Sequence, residues 1–492
     1  MSHLTSYPTS PVDMNNLSAS WQRQPATQPL TYREALAWLY AFSDTERTGA
    51  FVHDRDDNLR RERALLERLG DPQLAYGVTH IAGTKGKGST SAILAAILSA
   101  AGVRTGAYTQ PDLHTFRERI RIDGEVIGED EVARLTADVQ EAMARLDTTT
   151  LGSYITYEVA TALAFLALRE AEVDQAVIEV GLGGRLDATN VVQPQVTVIT
   201  SISYDHMAVL GDTLGAIAWE KAGIIKQGVP VVTSAQAPEA QAVITRVATE
   251  RGAPLIRVGR SGQPGAADYA YFVGAAEEDR QYFDLATPER LYRNLELSLL
   301  GAHQAQNAAA AVAAAEQLRE RGVAIDESAI REGLRAVRWP ARLQVVGRSP
   351  LRVVDGAHNA DSFAALFAAL RRHFDYEHLL LVLGTMGDKD IEGMVREVAL
   401  ARVDQVIVTA ARGARPIPPA ELAEQLRRMA PQTPALVAPT SEEALALATR
   451  LAGPRDLICV AGSLYLAGEA LRWFATQPDV LPGAIEIAGV DH

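Results

Sequence analysis

The stretch Gly83-Thr84-Lys85-Gly86-Lys87-Gly88-Ser89-Thr90 follows an apolar run over residues 76–82 and precedes a small-residue run over 89–101, closed by Gly102. Together these predict a strand, a glycine loop and a helix. Closely spaced glycines let backbone N–H groups turn inward around phosphate oxygens, and the following helix adds its positive N-terminus. Gly83, Thr84, Gly86 and Gly88 would form the cradle for an ATP triphosphate. Lys87 is placed to reach the outer phosphates, and Ser89 or Thr90 to reach phosphate or magnesium. The strict P-loop pattern fails, because Gly88 stands where Ser or Thr belongs and Ile81 where the first glycine belongs. A dinucleotide fingerprint fails too, because no third glycine follows Gly86 and Gly88 at the required spacing. A tight turn that happens to carry Gly and Lys is the plain alternative; the strand–loop–helix context favours phosphate binding.

The alternation continues outward. Residues 174–180, 196–202 and 229–233 read as strands, and 160–170 as a helix. Before the loop, residues 31–42 and 58–69 have helical spacing. Such alternation predicts a mostly parallel sheet covered on both faces, with ligands at the carboxyl ends of its strands. After Arg338-Trp339-Pro340 a smaller unit begins, with strands at 351–354, 378–383, 405–409 and 457–460 and a helix at 361–373. The expected fold is α/β: a P-loop-type parallel-sheet ATPase domain over 30–340, a linker at 341–350, and a smaller Rossmann-like domain over 351–492. Residues 1–29, rich in Ser, Pro, Thr, Gln and Asn, read as a tail without a signal peptide's basic start or apolar core. Residues 259–290 mix glycine, charge and short apolar pairs and fit no element cleanly.

Composition narrows the function. A chain of 492 residues suggests two or three domains, and 47% hydrophobic residues suffice for sizeable cores. The net charge of −14 argues against nucleic acid as a partner. Anionic ligands must then be held by local devices. No run approaches a membrane span. One cysteine, Cys459, rules out an internal disulfide and lies in an apolar run that reads as a buried strand. The expected compartment is the cytoplasm.

Polar residues gather at the predicted strand ends. Glu179-Val180-Gly181-Leu182-Gly183-Gly184-Arg185-Leu186-Asp187-Ala188-Thr189-Asn190 follows one strand and Ser203-Tyr204-Asp205-His206 the next. Glu220-Lys221-Ala222-Gly223 comes after a short helix, and Asp355-Gly356-Ala357-His358-Asn359 follows the first strand of the smaller unit. Glu179 and His206 could hold Mg²⁺ beside ATP. A strand-end histidine that is simply hydrogen-bonded, and a plain surface lysine at 221, are the competing readings.

These segments, with 220–226, 303–307 and 384–390, resemble the signature segments of the folylpolyglutamate synthase and dihydrofolate synthase family, within the Mur-type amide ligases. The resemblance runs from Thr31 to Leu466. It implies an ADP-forming ligase that adds L-glutamate to the γ-carboxyl of folates through an acyl phosphate; a dihydrofolate synthase activity on dihydropteroate stays open. It implies catalytic roles for Lys87, Glu179, His206 and Lys221, and nucleotide contacts from Asn307, Arg342, Asp355 and His358. It also implies two magnesium sites drawn from Ser89, Gln110, Glu179, His206 and a carbamylated Lys221. The expected partners are small molecules and the expected state a monomer. Two departures stand out. Thr109-Gln110-Pro111-Asp112-Leu113 replaces the usual Thr-Ser-Pro-His-Leu, so Gln110 would offer a carbonyl oxygen, or Thr109 a hydroxyl, for the usual serine. Lys85 replaces the asparagine common in bacterial members. A cell-wall Mur-type ligase and a regulator that has lost catalysis are the alternatives.

Overall fold

The computed structural model describes residues 29–43, 57–262, 267–387, 389–411 and 416–489. The expected tail thus lies outside the described residues, apart from Pro29.

Seventeen strands among the described residues form two sheets. The larger runs in the order β11-β10-β9-β8-β7-β6-β1-β5-β2-β3-β4. Its centre is parallel: β2 (Thr105–Tyr108), β5 (Gln175–Glu179), β1 (Gly77–Ala82), β6 (Val196–Ile199), β7 (Val231–Thr233) and β8 (Leu255–Arg260). β5, β6 and β7 are buried along their whole length, which is why they read as continuous apolar runs rather than as alternation. At one edge lie β3 (Ile120–Ile122) and β4 (Glu125–Val126), both antiparallel.

At the other edge, β9 (Tyr269–Ala276), β10 (Gln281–Ala286) and β11 (Leu291–Leu297) form an antiparallel meander. This accounts for the unplaced residues 259–290. Alternate residues of β10 are buried, so its apolar side chains come singly, and bulges break the register on both sides.

The glycine-loop helix, Lys87–Ala100, buries Ile93, Leu94, Ile97 and Leu98. It packs beside the helices Ala302–Glu320 and Glu327–Ala336. Ala308–Ala315 is fully buried; this helix is apolar all round because protein surrounds it. No helix among the described residues is long and apolar enough to cross a membrane. The opposite face of the sheet packs on a second core that includes Tyr108, Phe116, Leu163 and Phe165.

The smaller sheet has the order β12-β13-β17-β14-β15-β16. β13 (Leu351–Val354), β17 (Leu457–Ala461), β14 (Leu379–Leu383), β15 (Gln405–Val408) and β16 (Ala435–Val437) are parallel. The expected linker carries β12 (Gln344–Arg348), which pairs antiparallel with β13 and closes that edge. An edge strand of five residues with an irregular register leaves little period to read. Cys459 is buried in β17, as its apolar run suggested. His114 Nε2–H donates to the Gly468 carbonyl at 2.9 Å, joining the loop after β2 to the helix Leu464–Ala475 of the second unit.

Candidate active site

The register places three carboxyl ends side by side. Ile81 of β1 faces Glu179 of β5, and Ala82 faces Ile199 of β6. The glycine loop therefore lies between Glu179 and the segment Ser201–His206, at the position where ligands sit in parallel sheets.

The loop is pinned to the exit of β6. Thr84 N–H donates to the Ser201 carbonyl at 2.8 Å and Thr84 Oγ1 to the Ser203 carbonyl at 3.1 Å. Gly83 and Gly86 have φ of 151° and 88°. A Cβ on Gly83 would lie 1.8 Å from Thr200 Oγ1, and one on Gly86 would lie 2.3 Å from Asn307 Oδ1. Asn307, one of the expected nucleotide contacts, therefore packs directly on the loop, its own amide donating to Gln304 Oε1 at 2.9 Å. Gly86 is the N-cap of the helix, so the helix N–H groups open toward the cleft. Ser89 and Thr90 sit in the first turn and are buried.

Four lysines surround this loop in a chain of net charge −14. Lys87 Nζ lies 3.9 Å from Glu179 Oε1. Lys221, on the helix Leu214–Ala222, is buried and donates to the Gly83 carbonyl at 2.9 Å. Burial, then the neighbouring Lys87, lowers its pKa to about 7. Lys85 pairs with Asp205 at 2.8 Å. Burial opposes ionisation of Asp205, but Lys85, His206 and Lys389 hold its carboxyl below the usual range. Lys389 comes from the second unit. Its charge is felt by Lys85, Asp205, His206 and His358, so it faces the loop across the cleft. Its segment, residues 384–390, carried the signal, although position 388 lies outside the described residues.

The long motif is held by its own side chains. Asp187 accepts from Leu182 N–H at 2.9 Å, Thr189 N–H at 3.0 Å and Thr189 Oγ1. Asn190 Nδ2 donates to the carbonyls of Arg185 and Gly223, while Lys226 Nζ donates to Asn190 Oδ1 at 2.8 Å. Glu220 pairs with Arg185 at 3.0 Å. The two signature segments thus form one interlocked floor beneath Glu179. His80, buried in β1 at its base, bonds Thr189 Oγ1 at 2.9 Å and is kept neutral by burial, which lowers its pKa to about 3.

The other expected residues have distinct places. Gln110 and Arg342 line one cleft with Gly88, Thr109, Glu179 and Trp339. His206 has a left-handed backbone, φ 49°, and half its side chain is exposed. Its backbone N–H donates to Asp205 Oδ1 at 3.1 Å. The Asp355 carboxylate accepts from Leu343 N–H and Ala357 N–H, both at 2.8 Å, and so braces the turn that carries Arg342. His358 bonds the Gly356 carbonyl at 2.8 Å; burial, then Lys85, lowers its pKa to about 3. Among the described residues no three His, Cys, Asp or Glu side chains converge as a metal cage. A cation here would need hydroxyl, amide or phosphate oxygens as well.

The Mur ligase middle domain matches residues 128–315, and the glutamate ligase domain of Mur ligases matches 341–464. The dihydrofolate synthase/folylpolyglutamate synthase of Bacillus subtilis is 34% identical over 440 residues, covering 89% of this chain and 98% of that protein. Escherichia coli FolC, solved in complex with DHPP and ADP, superposes with a TM-score of 0.78 at 30% identity, covering 91% of this chain and 98% of that one. Mycobacterium tuberculosis folylpolyglutamate synthase, solved with ADP and AMPPCP, gives a TM-score of 0.79 at 34% identity, covering 85% and 96%. The chain belongs to the folylpolyglutamate synthase/dihydrofolate synthase family of Mur-type, ADP-forming ligases.

Proposed function

We propose that this protein joins L-glutamate to the γ-carboxyl of a folate glutamyl tail, using ATP and passing through an acyl phosphate. The observation that carries this reading is the cluster of Lys87, Lys221, Lys85 and Lys389 around the glycine loop, with Glu179 opposite Lys87. Lys85, Lys87 and Lys389, gathered in a chain of net charge −14, mark a site for a polyanion.

An amide does not form from a carboxylate and an ammonium in water, because hydroxide is a poor leaving group. The γ-carboxylate of the folate attacks the γ-phosphorus of ATP, and ADP leaves. Loop N–H groups and Lys87 neutralise the charge that spreads over the transferring phosphoryl oxygens. The amine of glutamate then attacks the acyl carbon, and phosphate departs. Acyl phosphates hydrolyse readily, so contact between the two units over the loop serves to exclude water. His358 and Lys389 bring the second unit to that contact.

Magnesium fits the donor set as a nucleotide-bound ion. It favours one or two carboxylates together with phosphate oxygens. Glu179, the Ser89 hydroxyl, Gln110 and His206 would hold it, and it would supply charge neutralisation on the phosphates. Carbamylation of Lys221 is supported by its buried amine, since a pKa near 7 leaves much of it neutral and nucleophilic toward carbon dioxide. The carbamate would add an anionic oxygen at the metal side of the loop, completing a second magnesium site. The reading places the enzyme in the cytoplasm, as a monomer.

Incubation with ATP, Mg²⁺, labelled glutamate and, in separate reactions, tetrahydrofolate, dihydropteroate or a muramyl peptide tests the assignment. Labelled product and ADP with tetrahydrofolate are expected. Product with the muramyl peptide alone would transfer the assignment to cell-wall chemistry.

A further inference from the structure

Gln110 stands at the mouth of the cleft, and its orientation is set from behind by a side chain that the reaction scheme does not use. Tyr157 opens the helix Thr156–Glu170 and is packed beneath the long motif. Its hydroxyl makes three hydrogen bonds. It accepts from Gly181 N–H at 3.1 Å, accepts from Gln110 Nε2–H at 3.2 Å, and lies 2.9 Å from Asp187 Oδ1. A phenol has one proton and two lone pairs. Gly181 N–H can only donate. The Asp187 oxygen already accepts from Thr189, so the phenol proton goes to Asp187. A phenol titrates at about pH 10, so that proton is present at neutral pH.

One role then remains for the hydroxyl toward Gln110, that of acceptor. The Gln110 NH₂ must point at Tyr157, so its carbonyl oxygen, Oε1, is turned away from the phenol, and Gln110 lines the cleft with Glu179 and Gly88. The backbone N–H of Gln110 donates to Glu179 Oε2 at 3.4 Å, so the same residue also steadies the neighbouring carboxylate. Packing reinforces the arrangement. A Cβ on Gly181 would lie 2.7 Å from Tyr157 Cζ and 2.8 Å from Gln110 Nε2, so the two side chains fill the space that glycine leaves.

We infer that Tyr157 is a positioning residue: through its hydrogen bonds to Asp187, Gly181 and Gln110 it fixes the Gln110 amide with Oε1 facing the cleft, as a neutral oxygen donor to the divalent cation that accompanies the nucleotide. This rests on the ligase reading. It explains how a glutamine serves where a hydroxyl is usual. A free glutamine amide presents N–H or C=O equally well, and only the second can bind a cation. Fixing the amide in advance removes that choice before the cation arrives.

The test compares the wild-type full-length chain with Tyr157→Phe, Gln110→Leu and the double variant. Binding of ADP is measured by calorimetry with Mn²⁺ and in its absence, with Mn²⁺ coordination followed by electron paramagnetic resonance. The inference expects Tyr157→Phe to weaken the Mn²⁺-dependent gain in ADP affinity about fivefold, to leave metal-free ADP affinity unchanged, and to alter the Mn²⁺ spectrum. Gln110→Leu should do at least as much, and the double variant no more than Gln110→Leu alone. Losses that add in the double variant, or an equal loss of metal-free affinity in Tyr157→Phe, would overturn the inference and leave the ligase reading standing. A wild-type chain that binds ADP in neither condition would overturn both.

Discussion

Lys221 Nζ lies 2.9 Å from the carbonyl oxygen of Gly83. The lysine of the second signature segment thus reaches the first residue of the glycine loop, across 138 positions of sequence. Its amine is buried, and the neighbouring Lys87 adds to the lowering of its pKa to about 7. If the working form is the carbamate, Lys221→Ala loses turnover by about two orders of magnitude or more, the scale of losing one charge-stabilising group. Short-chain carboxylates added to the variant should restore part of it. Assays across formate, acetate and propionate check this; no recovery with any of them would count against carbamylation.

Lys87→Ala should fold normally, because among the described residues its one ion pair is with Glu179, at a long 3.9 Å. Turnover should fall about 10²- to 10³-fold, since the lysine acts on charge that develops in the transition state. Circular dichroism and a coupled ADP assay together check the split between fold and rate.

Lys226 gives a pH signature of the interlocked floor. Its Nζ donates to the Asn190 carbonyl and to Asn190 Oδ1. Burial, then Arg63 and Arg251, lowers its pKa to about 8, against about 10.4 for a free lysine. Between those values the unfolded chain holds the proton and the folded chain has released it. Stability contributed by this group therefore rises as the pH climbs through that window. Lys226→Met lacks the titration, so wild type should gain stability relative to the variant from about pH 8 to pH 10.4. Denaturation curves at intervals over that range would show parallel profiles if the lysine were unperturbed.

Gly181→Ala should destabilise by about 1–3 kcal/mol, the usual cost of forcing an extra methyl into a filled space. The new Cβ would meet Tyr157 Cζ at 2.7 Å and Tyr157 Oη at 2.8 Å. Thermal unfolding measures the cost. An unchanged midpoint would mean that the Tyr157–Gln110 packing is loose.

Much of this site is legible in the chain because the glycine loop, the Glu179 motif, the Asp205-His206 pair and the Asp355 segment each follow a strand. Ala82, Glu179 and Ile199 end neighbouring parallel strands, so the segments that follow them meet by topology alone. No local spacing marks Lys389, because the groups that feel its charge, Asp205 and His206, follow a strand of the other sheet. Tyr157 is unmarked for a similar reason. It opens an apolar helix and reads as core, and only the hydroxyl's three partners distinguish it from a phenylalanine. The smaller sheet's first strand, Gln344–Arg348, was hidden by brevity, and the meander after Arg260 by alternate burial and bulged register.

The central claim is that a folate carboxylate is activated by ATP on the loop that Lys87 and Lys221 serve. Tetrahydrofolate carrying ¹⁸O in its γ-carboxyl, turned over with ATP, Mg²⁺ and glutamate, tests it most directly. The account predicts one ¹⁸O in each phosphate released, read by mass spectrometry, because the departing phosphate keeps the carboxylate oxygen that attacked it. Phosphate free of ¹⁸O, alongside glutamylated product, would contradict the acyl phosphate route.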